Sequence, residues 1–243
     1  MQLNAEGTGY VICLPVPGVV TQVQTNMSAT LNIDWALSLA AGLMAEAGNE
    51  PSHADLVARI DGWLASAKPS GIIYHPYISE AGERGPFVNA DARAGFLGLS
   101  MRHRFPDLLR AVVEGLGLAT RDCYAAMGEM PGELRLTGGA ARSRALRGML
   151  SAAVDAPVRI SASEEAGAAG AAMMSAVAIG AYESMDACIA DWVTPLLGEA
   201  EAPDAMLAKR FGRLYPAYVE ARKALPPVWE TLVEEQARHV PGA

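Results

Sequence analysis

Basic residues are scarce in this chain: 19 lysines and arginines stand against 27 aspartates and glutamates, and the formal net charge is -8. The basic residues form no polybasic run. A surface that binds nucleic acid needs clustered positive charge opposite the phosphates, and a surface that binds anionic lipid needs a polybasic segment. The composition therefore predicts that neither nucleic acid nor a membrane is a partner of this protein.

Cysteine and histidine are also rare, and their spacing does not fit a metal-binding motif. The three cysteines, Cys13, Cys123 and Cys188, form no CxxC pair, and the four histidines stand at no metal-ligand spacing. Cys13 lies in a strand-like run and Cys123 on an apolar helical face, so both are expected to be buried thiols. The odd number of cysteines favours a reducing compartment over a disulfide framework, and no metal site is expected.

Several recognisable segments are missing as well. Residues 1–6 have neither the basic nor the apolar region of a signal peptide, and the most apolar stretch, 166–181, is short for a membrane span. The GxxxxGK[ST], GxSxG and HExxH motifs do not occur, and no GxGxxG follows a strand. With 51% hydrophobic residues in 243 positions, the chain is long enough to bury a full core. We therefore expect a cytoplasmic protein outside those enzyme classes.

The hydrophobic pattern that is present predicts alternating helices and strands. The turn 7–9 (GTG) is interpreted as a plain turn before the first strand, although it resembles a phosphate-binding motif. The predicted elements are a hairpin over 10–25, helices over 26–46 and from 52, a strand over 71–74, a polar loop over 75–91, a helix over 106–127, strands over 133–136 and 158–160, helices over 142–154, 163–181 and 185–192, and a helical tail over 213–239 interrupted at Pro216 and at 226–227. Strand and helix alternate between 133 and 181, which predicts a parallel α/β arrangement.

Two short segments are candidates for chemistry. Gly138 and Gly139 follow a predicted strand and precede a helix, a turn that suits phosphate or adenine but equally suits a tight turn without ligand. Glu83 and Arg84 form either a surface charge pair or a nucleotide contact, and we favour a structural or interdomain role over catalysis. The small residues of 167–172 are interpreted as a packing surface. None of these segments identifies a function by itself.

A resemblance to one family joins these segments. Residues 94–99 (AGFLGL), then 107–114 (DLLRAVVE) and 136–143 (LTGGAARS), resemble the second half of the FGGY carbohydrate kinases. The resemblance implies an α/β fold of the actin-like, ribonuclease-H-like ATPase type, namely the C-terminal half of a two-domain sugar kinase. It implies a single nucleotide-binding domain over 1–243, with a helical tail from about 204. The family's N-terminal sugar-binding and catalytic domain is absent from this sequence and is therefore the expected partner.

The same resemblance implies the activity. Such kinases transfer the γ-phosphate of ATP to a carbohydrate hydroxyl with Mg²⁺. The sequence of residues 24–35 most resembles the erythritol-kinase branch of the family and then the xylulose kinases, which favours an erythritol-type acceptor, with a xylulose-type acceptor next. Ser143 occupies a position often held by asparagine, so its adenine contact is expected to be weaker or different. The residues that the resemblance assigns to the nucleotide are Thr30, Asp34, Gly138, Gly139, Ala140 and Ser143.

The catalytic aspartate of the family has no counterpart here and is expected upstream of Met1. The isolated chain is therefore expected to be inactive, and an apolar face near the cleft is expected to be exposed and to promote a homodimer. The alternative hypothesis is a non-catalytic actin-like binding module, or a truncated remnant that is inactive by itself.

Overall fold

The computed structural model describes residues 7–14, 16, 18–163 and 165–238. The strands are β1 (Tyr10–Cys13), β2 (Val20–Val23), β3 (Ile73–His75), β4 (Gly95–Leu97), β5 (Leu134–Leu136) and β6 (Val158–Ile160). The helices are α1 (Leu31–Glu46), α2 (His53–Ser66), α3 (Phe105–Met127), α4 (Gly139–Arg142), α5 (Arg144–Val154), α6 (Ala166–Ala178), α7 (Met185–Trp192), α8 (Ala205–Ala224) and α9 (Pro226–Arg238), with a 3-10 turn at Thr194–Leu196.

The strands of the described ranges form three separate pairs. β1 and β2 make the predicted antiparallel hairpin, with Tyr10 opposite Val23. β3 and β4 are antiparallel, whereas β5 and β6 are parallel and are connected through α4 and α5. The parallel strand–helix–strand unit predicted after residue 133 is therefore present, although the three pairs do not join into one sheet within these ranges.

Helix α3 is the centre of the core and contacts α1, α2, α5, α8 and β3. Two glycines on α3 allow these close approaches. A Cβ atom on Gly115 would overlap the carbonyl oxygen of Tyr74 in β3, and a Cβ on Gly117 would lie 2.8 Å from the Cβ of Ala153 in α5. Larger residues at these two positions would push α3 away from its neighbours, so the chain buries glycine there.

Two buried carboxylates on α3 bind arginines and fix helix α8 in place. Glu114 is 2% exposed, and its Oε1 lies 2.8 Å both from Nε of Arg110 and from the guanidinium of Arg210 on α8. Asp122 forms the second pair, 2.9 Å from Nε of Arg222, which is also on α8. Because a buried charge without its partner is costly, these pairs strongly disfavour any arrangement in which α8 leaves α3.

Helix α8 is longer and more continuous than predicted. It begins at Ala205 rather than Arg213 and runs through Pro216, so the predicted interruption there is wrong. Proline inside a helix costs about 3 kcal/mol, but Phe211 and Tyr218 on either side are fully buried, and each such burial contributes about 1.5–3 kcal/mol. The break predicted near residue 226 is confirmed, because α9 begins at Pro226.

Two expectations about burial are wrong. Helix α6 is mostly exposed, and Met173 is its buried residue in the described structure, so its glycines and alanines do not serve as a packing surface there. Small side chains bury little apolar area and therefore provide only a weak driving force for docking. Cys13 is exposed, and the other residues of its strand are exposed or partly exposed, whereas Cys123 is buried as expected.

No helix in the described ranges combines the length and the apolarity that a membrane span requires.

Replacing Gly115 by alanine should destabilise the protein by about 1–3 kcal/mol, because the new methyl group would overlap the backbone of Tyr74. The matched control is Gly148→Ala in α5, where a Cβ meets nothing within 4 Å. That control should be neutral or stabilising by up to about 1 kcal/mol, since alanine is the better helix former. Urea denaturation of both variants measures the difference, and equal midpoints would contradict the close packing of α3 on β3.

Alkylation of the native protein with iodoacetamide near pH 8 should modify Cys13 and spare Cys123 and Cys188. Cys13 is exposed, whereas the other two thiols are buried, and burial raises the pKa of Cys123 to about 12. Peptide mass mapping before and after denaturation gives the result. Modification of Cys123 in the native state would show that α3 is more accessible than described.

Candidate functional site

An apolar cavity of about 180 Å³ lies where the beginning of α1 meets α3 and α5. Thr30 and Ile33 line it from α1, Leu116 and Thr120 from α3, and Leu146 from α5. Its walls are mainly aliphatic, with a few hydroxyl and amide groups among them. A cavity of this kind suits a flat apolar group that carries polar atoms on its edge.

The beginning of α1 is held by a buried polar side chain. Asn32 is fully buried, and its Nδ2 donates to the carbonyl oxygens of Ala29 at 3.0 Å and Pro76 at 3.2 Å. The Tyr74 hydroxyl donates to Oδ1 of the same side chain at 2.8 Å. Asn32 therefore links the first turn of α1 to strand β3, and it stabilises Ala29 at a φ of 25°.

The segment just before α1 is held by two more side chains. The Cys123 thiol donates to Oδ1 of Asn26 at 3.1 Å, and the Met27 N–H donates to Oε1 of Glu83 at 3.0 Å. The same Glu83 oxygen accepts the backbone N–H of Arg84 at 2.8 Å. Glu83 is 1% exposed, and burial raises its pKa. The interpretation of Glu83 and Arg84 as a surface charge pair is therefore wrong, because Glu83 is buried and binds backbone N–H groups. This is the structural role that we favoured.

A second and more polar cavity, of about 440 Å³, is lined by Thr8, Thr25, Met27, Glu83 and Arg84, among others. Thr8 belongs to the GTG segment, which lies directly before β1 and lines this cavity with all three of its residues. The Thr8 hydroxyl donates to the carbonyl oxygen of Pro86 at 2.7 Å. This turn therefore packs the N-terminal segment onto the loop that carries Glu83 and Arg84.

The two α1 residues assigned to the nucleotide differ in their surroundings. Thr30 is the N-cap residue of α1, makes no capping hydrogen bond with its side chain, and lines the apolar cavity. Asp34 lies one turn later and is not among the described lining residues; its Oδ1 is 3.0 Å from Nε2 of His53 on α2. Sequence reasoning did not identify His53 as its partner, because the two residues lie on different helices.

The glycine turn also has a defined local structure. Gly138 is the N-cap of α4 with a φ of 76°, a conformation that favours glycine, and Gly139 and Ala140 are the first residues of that helix. Ser143 caps α5: its hydroxyl accepts the Leu146 N–H at 3.2 Å and donates to Oδ1 of Asp61 at 2.7 Å. The hydroxyl is therefore already occupied by protein groups.

The described side chains were also considered as ligands for a metal ion. In the parts of the chain that the structure describes, no three side chains of His, Cys, Asp or Glu approach closely enough to hold a metal ion. These residues therefore do not form a protein-only site for the expected Mg²⁺. In nucleotide-using enzymes Mg²⁺ typically keeps several waters and binds phosphate oxygens with one or two carboxylates.

Glu83 should make the protein lose stability as the pH rises. Its pKa is raised in the folded state, so the proton is bound more tightly in the folded than in the unfolded chain. The stabilising contribution is complete below the unfolded value of 4.5 and is lost as the pH rises through the folded pKa. Glu83→Gln retains an accepting oxygen and cannot ionise. Urea denaturation between about pH 4 and pH 8 should therefore show the wild type losing stability relative to this variant; a constant difference would contradict the prediction.

Comparison with known proteins places this arrangement in a family. The chain is 70% identical over 96% of its length to an erythritol kinase of Brucella abortus, and it is 31% identical over 68% of its length to a gluconokinase of Bacillus subtilis. It spans 45% of the first of these proteins and 32% of the second.

The fold comparison agrees with the sequence comparison. A ligand-bound xylulose kinase from Lactobacillus acidophilus superposes with a TM-score of 0.80 at 20% identity, over 96% of this chain and 45% of that one. This likeness confirms the predicted fold. The family model described as "FGGY family of carbohydrate kinases, C-terminal domain" matches residues 7–179. The chain therefore belongs to the FGGY family of carbohydrate kinases and contains the C-terminal domain of that family.

Proposed function

We propose that this chain forms the nucleotide-binding half of a sugar or polyol kinase, and that the complete enzyme transfers the γ-phosphate of ATP to a carbohydrate hydroxyl. The observation that carries the proposal is the apolar cavity between α1, α3 and α5. Its volume of about 180 Å³ and its aliphatic walls suit an adenine ring, and Thr30 supplies a hydroxyl at its rim.

In this proposal the nucleotide extends from the apolar cavity towards the glycine turn. Gly138 and Gly139 present backbone without Cβ atoms, so the ribose can approach the main chain closely. Ala140 follows in α4, and Asp34 lies one turn into α1. Ser143 contributes little to the adenine contact, because its hydroxyl is bonded to Asp61 and to its own helix.

The acceptor that we propose is erythritol or a closely related polyol. The support is the 70% identity to a protein named erythritol kinase, which is more than twice the 31% identity to a protein named gluconokinase. A xylulose-type acceptor is the second candidate, on the likeness of the fold to a xylulose kinase. We also propose a cytoplasmic location, since three free cysteines suit a reducing compartment.

The catalytic base, in this proposal, comes from the other half of the enzyme. Phosphoryl transfer needs a group that positions or deprotonates the attacking hydroxyl within hydrogen-bond reach. Glu83 is the one acidic residue among the described lining residues of the two cavities, and its carboxylate is buried against backbone amides. We therefore expect this chain alone to bind nucleotide and to transfer no phosphate.

Replacing Thr30 by phenylalanine should weaken the binding of Mg-ADP at least about tenfold, because the ring would occupy the space proposed for adenine. Titration calorimetry of the purified chain measures the affinity. The matched control is Ser38→Phe, an exposed position of the same helix that is not among the cavity-lining residues, and it should leave the affinity unchanged.

Unchanged binding in Thr30→Phe would place the nucleotide elsewhere. Absence of binding in a folded wild-type chain would instead favour the alternative, a non-catalytic actin-like module.

A further inference from the structure

Residues of one short segment line both cavities. Thr25 and Met27 line the polar cavity, whereas Asn26, Ala29 and Thr30 line the apolar one. Met27 and Thr30 are three residues apart, so their Cα atoms are separated by no more than about 11 Å. The two cavities are therefore close enough together for one extended ligand to reach both.

The backbone of Arg84 in the polar cavity is fixed on both sides. Glu83 exchanges two backbone hydrogen bonds with Asn89, at 2.9 and 3.0 Å, and its carboxylate accepts the N–H of Arg84. Gly85 follows, and a Cβ at that position would lie 2.8 Å from the carbonyl oxygen of Thr25. The loop therefore lies directly against the segment that lines both cavities, and the position of Arg84 is set before any ligand arrives.

The side chain of Arg84 is exposed, and in the described part of the chain its guanidinium has neither an ion pair nor a hydrogen bond. Its situation differs from that of Arg110, Arg210 and Arg222, which all bind buried carboxylates. An unpaired arginine at a rigid position in a cavity is available for an anion. The planar guanidinium matches two oxygens of a phosphate at once, which makes phosphate its natural ligand.

The neighbouring carboxylate does not oppose an anion in this cavity. Glu83 is the other charged residue among the described lining residues, and both of its carboxylate oxygens are buried. Oε1 accepts backbone N–H groups from Met27, Arg84 and Gly85. The negative charge of Glu83 therefore faces the protein backbone, and the positive charge of Arg84 is the one presented to solvent.

We propose that Arg84 binds the phosphate groups of the nucleotide in the polar cavity while the base occupies the apolar cavity. This inference rests on the proposed function, because it assigns the second end of the same ligand. It gives Arg84 a binding role that differs from the structural role of Glu83 beside it. Arg84 becomes a determinant of preference for a nucleotide over a nucleoside.

The test is a calorimetric titration of the purified chain with three probes: Mg-ADP, adenosine and pyrophosphate. Arg84→Ala should bind Mg-ADP about tenfold more weakly, bind adenosine as the wild type does, and lose pyrophosphate binding. Arg84→Lys keeps the charge without the planar group and should give an intermediate affinity for Mg-ADP. Arg213→Ala, an exposed arginine on α8 outside the described cavity linings, is the control and should change nothing.

The three probes separate failure of this inference from failure of the proposed function. If Arg84→Ala binds Mg-ADP normally, or loses adenosine and Mg-ADP equally, the inference is overturned and nucleotide binding stands. If the folded wild type binds neither Mg-ADP nor adenosine, the proposed function fails. The pyrophosphate titration then decides whether Arg84 forms a phosphate site. Pyrophosphate binding that depends on Arg84 would still support a phosphate site, and its absence would overturn both.

Discussion

The close burial of helix α3 is the constraint on which the rest of this structure depends. Gly115 allows α3 to touch the backbone of β3, and the glycine two residues later allows it to approach α5. Glu114 and Asp122 on the same helix bind arginines of α8 in the interior. Since charges without partners are costly in a core, these contacts permit few alternative arrangements of the surrounding helices. Helix α8 is thus an integral part of the domain core.

Contacts with this core determine the geometry of the candidate site. The segment between β2 and α1 is held from α3 by Cys123, from the 75–91 loop by Glu83, and from β3 through Asn32. Each of these side chains binds a different residue of the segment. The walls of both cavities are therefore set by tertiary hydrogen bonds, and the segment needs no regular secondary structure of its own to stay in place.

Membership of the FGGY family gives these cavities a functional context. We propose that the chain contributes the nucleotide side of a kinase site, and that the catalytic base and the residues that bind the acceptor sugar lie elsewhere in the enzyme. The buried polar side chains of Glu83 and Asn32 near the site form hydrogen bonds with backbone groups and hold the chain in position. Arg84 is the contrasting case, a fixed position whose charged group is left available.

The sequence by itself determined the local elements and the family. The capping box of Ser52 and Asp55, the strand over 158–160 and the helix over 185–192 are where they were predicted, because capping and hydrophobic periodicity act over a few neighbouring residues. Tertiary structure alone decided that α8 continues through Pro216, that α6 lies exposed, and that Glu83 points inward while Arg84 points to solvent. Those outcomes depend on which distant residues cover each surface, and no local pattern contains that information.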